Sequence, residues 1–151
     1  MAIEQFSRSL PMMLYRTLDA VMPRFRSIFN EFGLTEQQWR VLRVLWEVDA
    51  LPLSDLAELT LLPAPSLVGV VDRLERAGLV SRRRSDKDRR VVFVAATRKA
   101  SDIEPEVMRR VAGAYAELKQ TVDPRVWEQL LAGLEQVSRV SQTPPRQRAS
   151  P

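Results

Sequence analysis

From Pro11 to Phe32, apolar residues return at Leu14, Leu18, Val21, Met22, Phe25, Ile28, Phe29 and Phe32, the spacing of one helical face. Gly33 follows and ends that helix, while Pro23 inside it bends the rod or marks its weakest turn. Thr35 and Gln38 then form a capping box, opening a second helix with Trp39, Leu42, Leu45 and Trp46 on one face. Leu51-Pro52-Leu53 reads as a short extended connection able to pair as one small strand. Ser54 is the expected N-cap of a short helix over 55–60 that buries Leu56, Ala57 and Leu59.

Two prolines in Leu62-Pro63-Ala64-Pro65 forbid continuation, and the next helix starts near Pro65 or Ser66. Its core stripe is Leu67, Val70, Val71 and Leu74, and Gly78 ends it. Short helix, proline-rich turn, second helix is the outline of a helix-turn-helix. Leu79 to Ser81 and Val91 to Ala96 read as two valine-rich strands, so the stretch between them is a hairpin loop. A further helix runs from about Ser101 or Glu104 to Gln120, with Pro105 close to its start. Asp123 caps a last helix, with Pro124 in its first turn and Val126, Trp127, Leu130, Leu131, Leu134 and Val137 apolar. The segment from Gln142 to Pro151 is proline-rich and expected to be disordered.

The broad apolar faces of the terminal helices have no obvious partner in the central block, which points to pairing with a second copy. The expected division is residues 1–34 as an N-terminal dimerisation helix and 35–100 as a helix-turn-helix lobe. Residues 101–140 are then C-terminal dimerisation helices, and 141–151 a tail. The fold class is mainly α with a small β-hairpin: a winged helix-turn-helix flanked by dimerisation helices.

Composition narrows the chemistry. The 151 residues contain no cysteine and no histidine, which excludes disulfides, a Cys/His metal site and Ser-His or Cys-His catalysis. No metal site, cofactor or catalytic constellation is expected, and the chain is read as not an enzyme. No run approaches the length of a membrane span, and no secretion signal is read at the start, so a cytoplasmic location is expected.

The net charge is +4, and its distribution matters more than its size. Between Arg82 and Arg90 stand Arg82, Arg83, Arg84, Lys87, Arg89 and Arg90 against Asp86 and Asp88. Arginine enters a narrow minor groove well, and either Arg89 or Arg90 can do so from the hairpin tip. Asp86 or Asp88 can hold such an arginine extended. Arg82, Arg83, Arg84 and Lys87 are then placed near phosphates. On the helix from Pro65, the residues off the core stripe are Pro65, Ser66, Val68, Gly69, Asp72 and Arg73. Ser66 can bond a base or a phosphate, Val68 can touch a thymine methyl, and Gly69 lets backbone approach DNA. Arg73, a turn further on, suits a phosphate.

At these residues the chain resembles the MarR family of regulators. Residues 65–82 look like its recognition helix and first wing strand, and Asp88-Arg89-Arg90 like its Asp-x-Arg wing motif. Leu34-Thr35-Glu36-Gln37-Gln38-Trp39-Arg40-Val41-Leu42-Arg43 is similar to the branch that represses hydroxyphenylacetate and homoprotocatechuate breakdown. The resemblance spans about Leu14 to Val137. It departs from the pattern at Pro11, Leu18, Ala96, Ala100 and Pro105.

The resemblance implies a homodimer on a palindromic double-stranded operator, with Arg90 in the minor groove and Asp88 its partner. It also implies a pocket for a small aromatic carboxylate or phenol that weakens DNA binding. Carried over by position, that pocket draws on Met22, Phe25, Phe29, Glu36, Trp39, Arg43, Val111 and Tyr115, with Ser9 reaching in from the partner chain. The same aromatic residues also read as ordinary core. Two alternatives therefore stay open: a constitutive DNA-binding protein without an effector, and a winged-helix protein-interaction module.

Overall fold

The computed structural model describes residues 2–141, with side chains from Gln5 to Arg139. The elements in order are α1 (Ala2–Ser7), α2 (Leu10–Glu31), α3 (Glu36–Leu45), β1 (Leu51–Pro52) and α4 (Leu53–Thr60). Then follow α5 (Ala64–Arg76), β2 (Val80–Arg84), β3 (Val92–Ala96), α6 (Arg98–Gln120) and α7 (Pro124–Ser141). The described residues fall into two compact units divided between Val111 and Ala112.

In the first unit, a three-stranded antiparallel sheet of order β1-β3-β2 stands beside α3, α4 and α5. Its core joins Val41, Leu42 and Leu45 of α3, Leu56 of α4 and Leu67, Val70, Val71 and Leu74 of α5 to Val80 and Val94 of the sheet. Each fully buried aliphatic side chain contributes about 1.5–3 kcal/mol, so this cluster is what fixes α5 against the sheet. Around it, Leu10, Met13, Leu14, Tyr15 and Leu18 of α2 stand exposed. The second unit holds the end of α6 and α7, with Lys119 over the Trp127 ring at 5.7 Å and Val126, Leu130 and Leu131 exposed.

Local signals place the element ends. Thr35 accepts from the Gln38 amide at 3.2 Å, and the Gln38 side chain accepts from the Thr35 amide at 2.9 Å, the expected capping box. The end of α5 is a Schellman turn. Gly78, at φ +73°, donates to Glu75 O, and Leu79 donates to Leu74 O. Thr97 Oγ1 then donates to Gly78 O at 2.7 Å and Lys99 Nζ to Ala77 O at 2.7 Å, fastening the start of α6 to the end of α5. Asp123 accepts from the Arg125 amide at 2.8 Å and caps α7 as expected.

Several sequence expectations are corrected. The first residues form α1, for which the pattern predicted nothing, and α2 begins at Leu10. The N-cap position of α4 is held by Pro52, and Ser54 bonds Asp55 instead. Pairing of β1 with β3 delivers the chain to the helix two residues early, with the Pro52 φ already set. α5 starts at Ala64, before Pro65, because a proline in the first helical turn lacks an N–H that has no helical partner anyway.

β2 runs on to Arg84, where strand pairing was expected to end at Ser81. Arg82, Arg83 and Arg84 pair opposite Val94, Phe93 and Val92, so they are strand residues and not loop residues. Pro105 does not mark the start of α6. The Thr97 cap and the fully buried Ala100 begin the helix at Arg98, and the proline is carried inside it. Pro23 is likewise carried within α2. The expected tail lies outside the described residues.

Candidate nucleic-acid interface

The outward side of α5 follows from its inward one. With Leu67, Val70, Val71 and Leu74 buried, Pro65, Ser66, Val68 and Arg73 are exposed, and Gly69, Asp72 and Glu75 are partly so. The first turn therefore offers one hydroxyl, from Ser66, amid small apolar surface. The turn before it carries Leu61, in the left-handed region at φ +54° and 81% exposed.

The hairpin places its cations in two ways. At the tip, Ser85 Oγ accepts from the amides of Lys87 and Asp88, and the Val91 amide donates to Asp88 O. This tight turn aims Asp88 at the following residues. Arg90 donates to Asp88 Oδ1 from Nε at 3.1 Å and to Oδ2 from Nη2 at 3.0 Å, and its own amide donates to Oδ1 at 3.0 Å. The Arg90 side chain is nevertheless 92% exposed. Its hydrogen bonds hold the Asp88 carboxyl below its ordinary range, and Asp88 in turn pushes the guanidinium further up. Of the two aspartates left open by the sequence, Asp88 is thus the one that holds an extended arginine. Asp86 faces Arg83 at 3.6 Å.

At the root, Arg82 turns the other way. It reaches Asp72 at 2.7 Å and Glu75 at 2.6 Å, two carboxylates one turn apart on α5. The Arg82 hydrogen bond holds Glu75 below the usual carboxylate range. Sequence reasoning missed this link, and Asp72 and Glu75 as its anchors. Arg84 lies beside Arg89, donating weakly to its backbone oxygen at 3.5 Å.

The effector candidates are distributed as follows. Phe25 and Phe29 are buried on α2, and Phe29 stacks on Trp39 at 4.7 Å between ring centres. Trp39 in turn meets Trp46 edge-on at 5.8 Å. Glu36, Trp39 and Arg43 share one face of α3, at spacing i, i+3, i+7. Glu36 is bonded by Arg26 at 2.9 Å and Arg43 by Glu47 at 2.6 Å. Met22 is half-buried and Val111 buried, while the Ser9 hydroxyl donates to Phe6 O at 2.7 Å. Tyr115 belongs to the second unit and is half-exposed. An open cleft of about 560 Å³ lies elsewhere, among Leu45, Trp46, Glu47, Val48, Asp49, Ala96 and Ser101. It shares no residue with the effector candidates, and Trp46 is its one aromatic lining residue.

Residues 34–92, which include the capping box, α5 and the hairpin, match the model of the MarR family. The homoprotocatechuate degradative operon repressor of Escherichia coli is 32% identical over 128 residues, 85% of this chain and 86% of its own. The HTH-type transcriptional regulator FarR of Neisseria gonorrhoeae is 35% identical over 109 residues, 72% of this chain and 75% of its own. The chain belongs to the MarR family. Among solved structures, NadR in complex with 4-hydroxyphenylacetate superposes with a TM-score of 0.72 at 31% identity, covering 89% of this chain and 93% of NadR. This MarR-family chain is a DNA-binding transcriptional regulator and not an enzyme. Among the described residues, no single helix is long and apolar enough to cross a membrane.

Proposed function

We propose that the protein is a cytoplasmic homodimeric repressor whose operator binding is relieved by a small aromatic carboxylate or phenol. The observation that carries the DNA side of this reading is the tip of the hairpin. Arg90 is fully extended into solvent yet oriented by a two-pronged bond to Asp88, which suits insertion into a narrow minor groove. Pro65, Ser66, Val68 and Gly69 are assigned to the major groove, Arg84, Lys87 and Arg89 to the backbone, and Arg73, expected at a phosphate from the sequence, contacts DNA from the same exposed face of α5. Dimerisation is supported by the exposed apolar rows of α2 and α7. The working division remains residues 1–34 and 101–140 for dimerisation around a 35–100 lobe.

The effector site is proposed on α2 and α3, at Met22, Phe25, Phe29, Glu36, Trp39 and Arg43, with Val111 nearby on α6 and Ser9 supplied by the second copy. Two similar proteins name an aromatic acid: one is a repressor of the homoprotocatechuate degradative operon, and NadR is solved in complex with 4-hydroxyphenylacetate. Arg43 offers a cation for a carboxylate and Glu36 an acceptor for a ring hydroxyl. Each must exchange its present ion-pair partner for the ligand. A tenfold loss of DNA affinity needs only about 1.4 kcal/mol of coupling between the sites.

A second reading is favoured by one observation. Phe29 is 2% exposed and stacked on Trp39, as in a closed core, which fits a regulator that responds to no effector. Fluorescence-anisotropy titration against the chain's own promoter DNA separates the two. We expect tight, salt-sensitive binding relieved by a hydroxylated phenylacetate, benzoate or cinnamate, and loss of that relief in Arg43→Ala. Binding that no compound relieves selects the second reading, and binding no tighter than to random DNA overturns both.

A further inference from the structure

We infer that Arg73 reads a guanine in the major groove, lying back across Gly69 to do so; the inference rests on the DNA-binding reading above. Side chains on a helix lean toward its N-terminus, over the preceding turn. Arg73 follows that rule closely. A β-carbon placed on Gly69, four residues earlier, would stand 3.4 Å from Nη1 of Arg73. The guanidinium therefore occupies the space left by the only glycine of α5, on the side away from the buried stripe. That position lies on the exposed face of α5, toward its first turns, the end of a groove-entering helix that meets base edges.

Charge bookkeeping on the helix points the same way. The two acids of α5, Asp72 and Glu75, are both taken by Arg82. Arg76 donates to the Asp72 carbonyl. Arg73 has no ion-pair partner among the described residues, and the acids one residue before it and two after do not face it on the helix. Pro65, Val68 and Gly69 carry no polar side chain, and Ser66 offers one hydroxyl. Arg73 is thus a side chain of the exposed face with its N–H fork unfilled, and it lies one turn nearer the start of the helix than Arg76. Guanine presents two acceptors, O6 and N7, to the major groove, whereas adenine presents a donor beside its acceptor. A guanidinium selects the first. Val68, exposed on the same helix, supplies the apolar surface that a neighbouring thymine methyl would meet.

The test begins by selecting binding sequences from a random duplex pool with the full chain. Each guanine of the selected half-site is then replaced by 7-deazaguanine, which removes the N7 acceptor alone. Binding is measured for wild type, Arg73→Ala and Arg73→Gln; because Arg73 is exposed, thermal melting should match across the three. We expect one deaza position per half-site to weaken the wild type and to leave Arg73→Ala unchanged. Arg73→Ala should lose roughly 5- to 100-fold per half-site on its operator, the size of one bidentate base contact, with little loss on random DNA. Arg73→Gln should shift the preference at that position toward adenine. The inference is overturned if Arg73→Ala keeps the wild-type consensus and weakens operator and random DNA equally, with the salt slope reduced by about one per subunit. Failure to select any sequence would instead overturn the regulator reading itself.

Discussion

The root and the tip of the hairpin use the same chemistry to opposite ends. At the tip, Asp88 grips Arg90 from two residues away and leaves its guanidinium almost wholly in solvent. At the root, Asp72 and Glu75 draw Arg82 back onto α5, where its side chain is 32% exposed. An ion pair between neighbours in a turn orients a cation for something outside the molecule. One between elements ties the molecule to itself. Of the four cations that the sequence placed near phosphates, Arg82 is therefore turned onto the protein itself.

The sharpest way to break the comparison is Arg90→Ala. If the tip is the DNA contact, operator affinity should fall on the order of 100-fold across two half-sites, with melting unchanged. Affinity within twofold of wild type would remove the tip from the account. A smaller effect separates the root. Asp72→Asn with Glu75→Gln frees Arg82, and the two roles for that arginine give opposite signs. If Arg82 holds the wing at its working angle to α5, binding weakens a few-fold at an unchanged salt slope. If Arg82 serves as a phosphate contact, binding tightens, because two negative charges beside the DNA are gone.

The smallest expected effect is that of pH. Asp88 and Glu75 both have folded-state pKa values below their ordinary ones, through hydrogen bonds from Arg90 and Arg82. Each pair is therefore fully formed above the ordinary carboxylate values and lost only as pH falls through the lowered ones, below about pH 4. With no histidine in the chain, operator affinity should be flat from about pH 6 to 8. A step in that interval would mean that another group, outside tip and root, controls binding.

Much of this molecule was legible in advance, and what was legible shares a scale. The Thr35–Gln38 box, the Asp123 cap, the buried stripe of α5 and the turn at Gly78 are all set within four residues of chain. So is the Asp88–Arg90 bond, which needed only the choice between two neighbouring aspartates. Errors arose where a longer-range contact overrode a local preference. Pairing with β3 drew Arg82 to Arg84 out of the expected loop into a strand. The cap at Thr97 and the burial of Ala100 started α6 seven residues before Pro105.

The sequence by itself determined the order of elements, the reading helix and the charged hairpin, because periodicity, caps and turn residues act over one or two turns of backbone. Only the tertiary structure decided which way each arginine faces. Arg82 meets Asp72 and Glu75 because the Schellman turn at Gly78 folds β2 back beside α5, and Arg73 lies over Gly69, on a side of the helix that neither acid faces. Charge along a chain is a list of possible partners; the choice among them depends on distance, and distance is fixed only once the elements have packed.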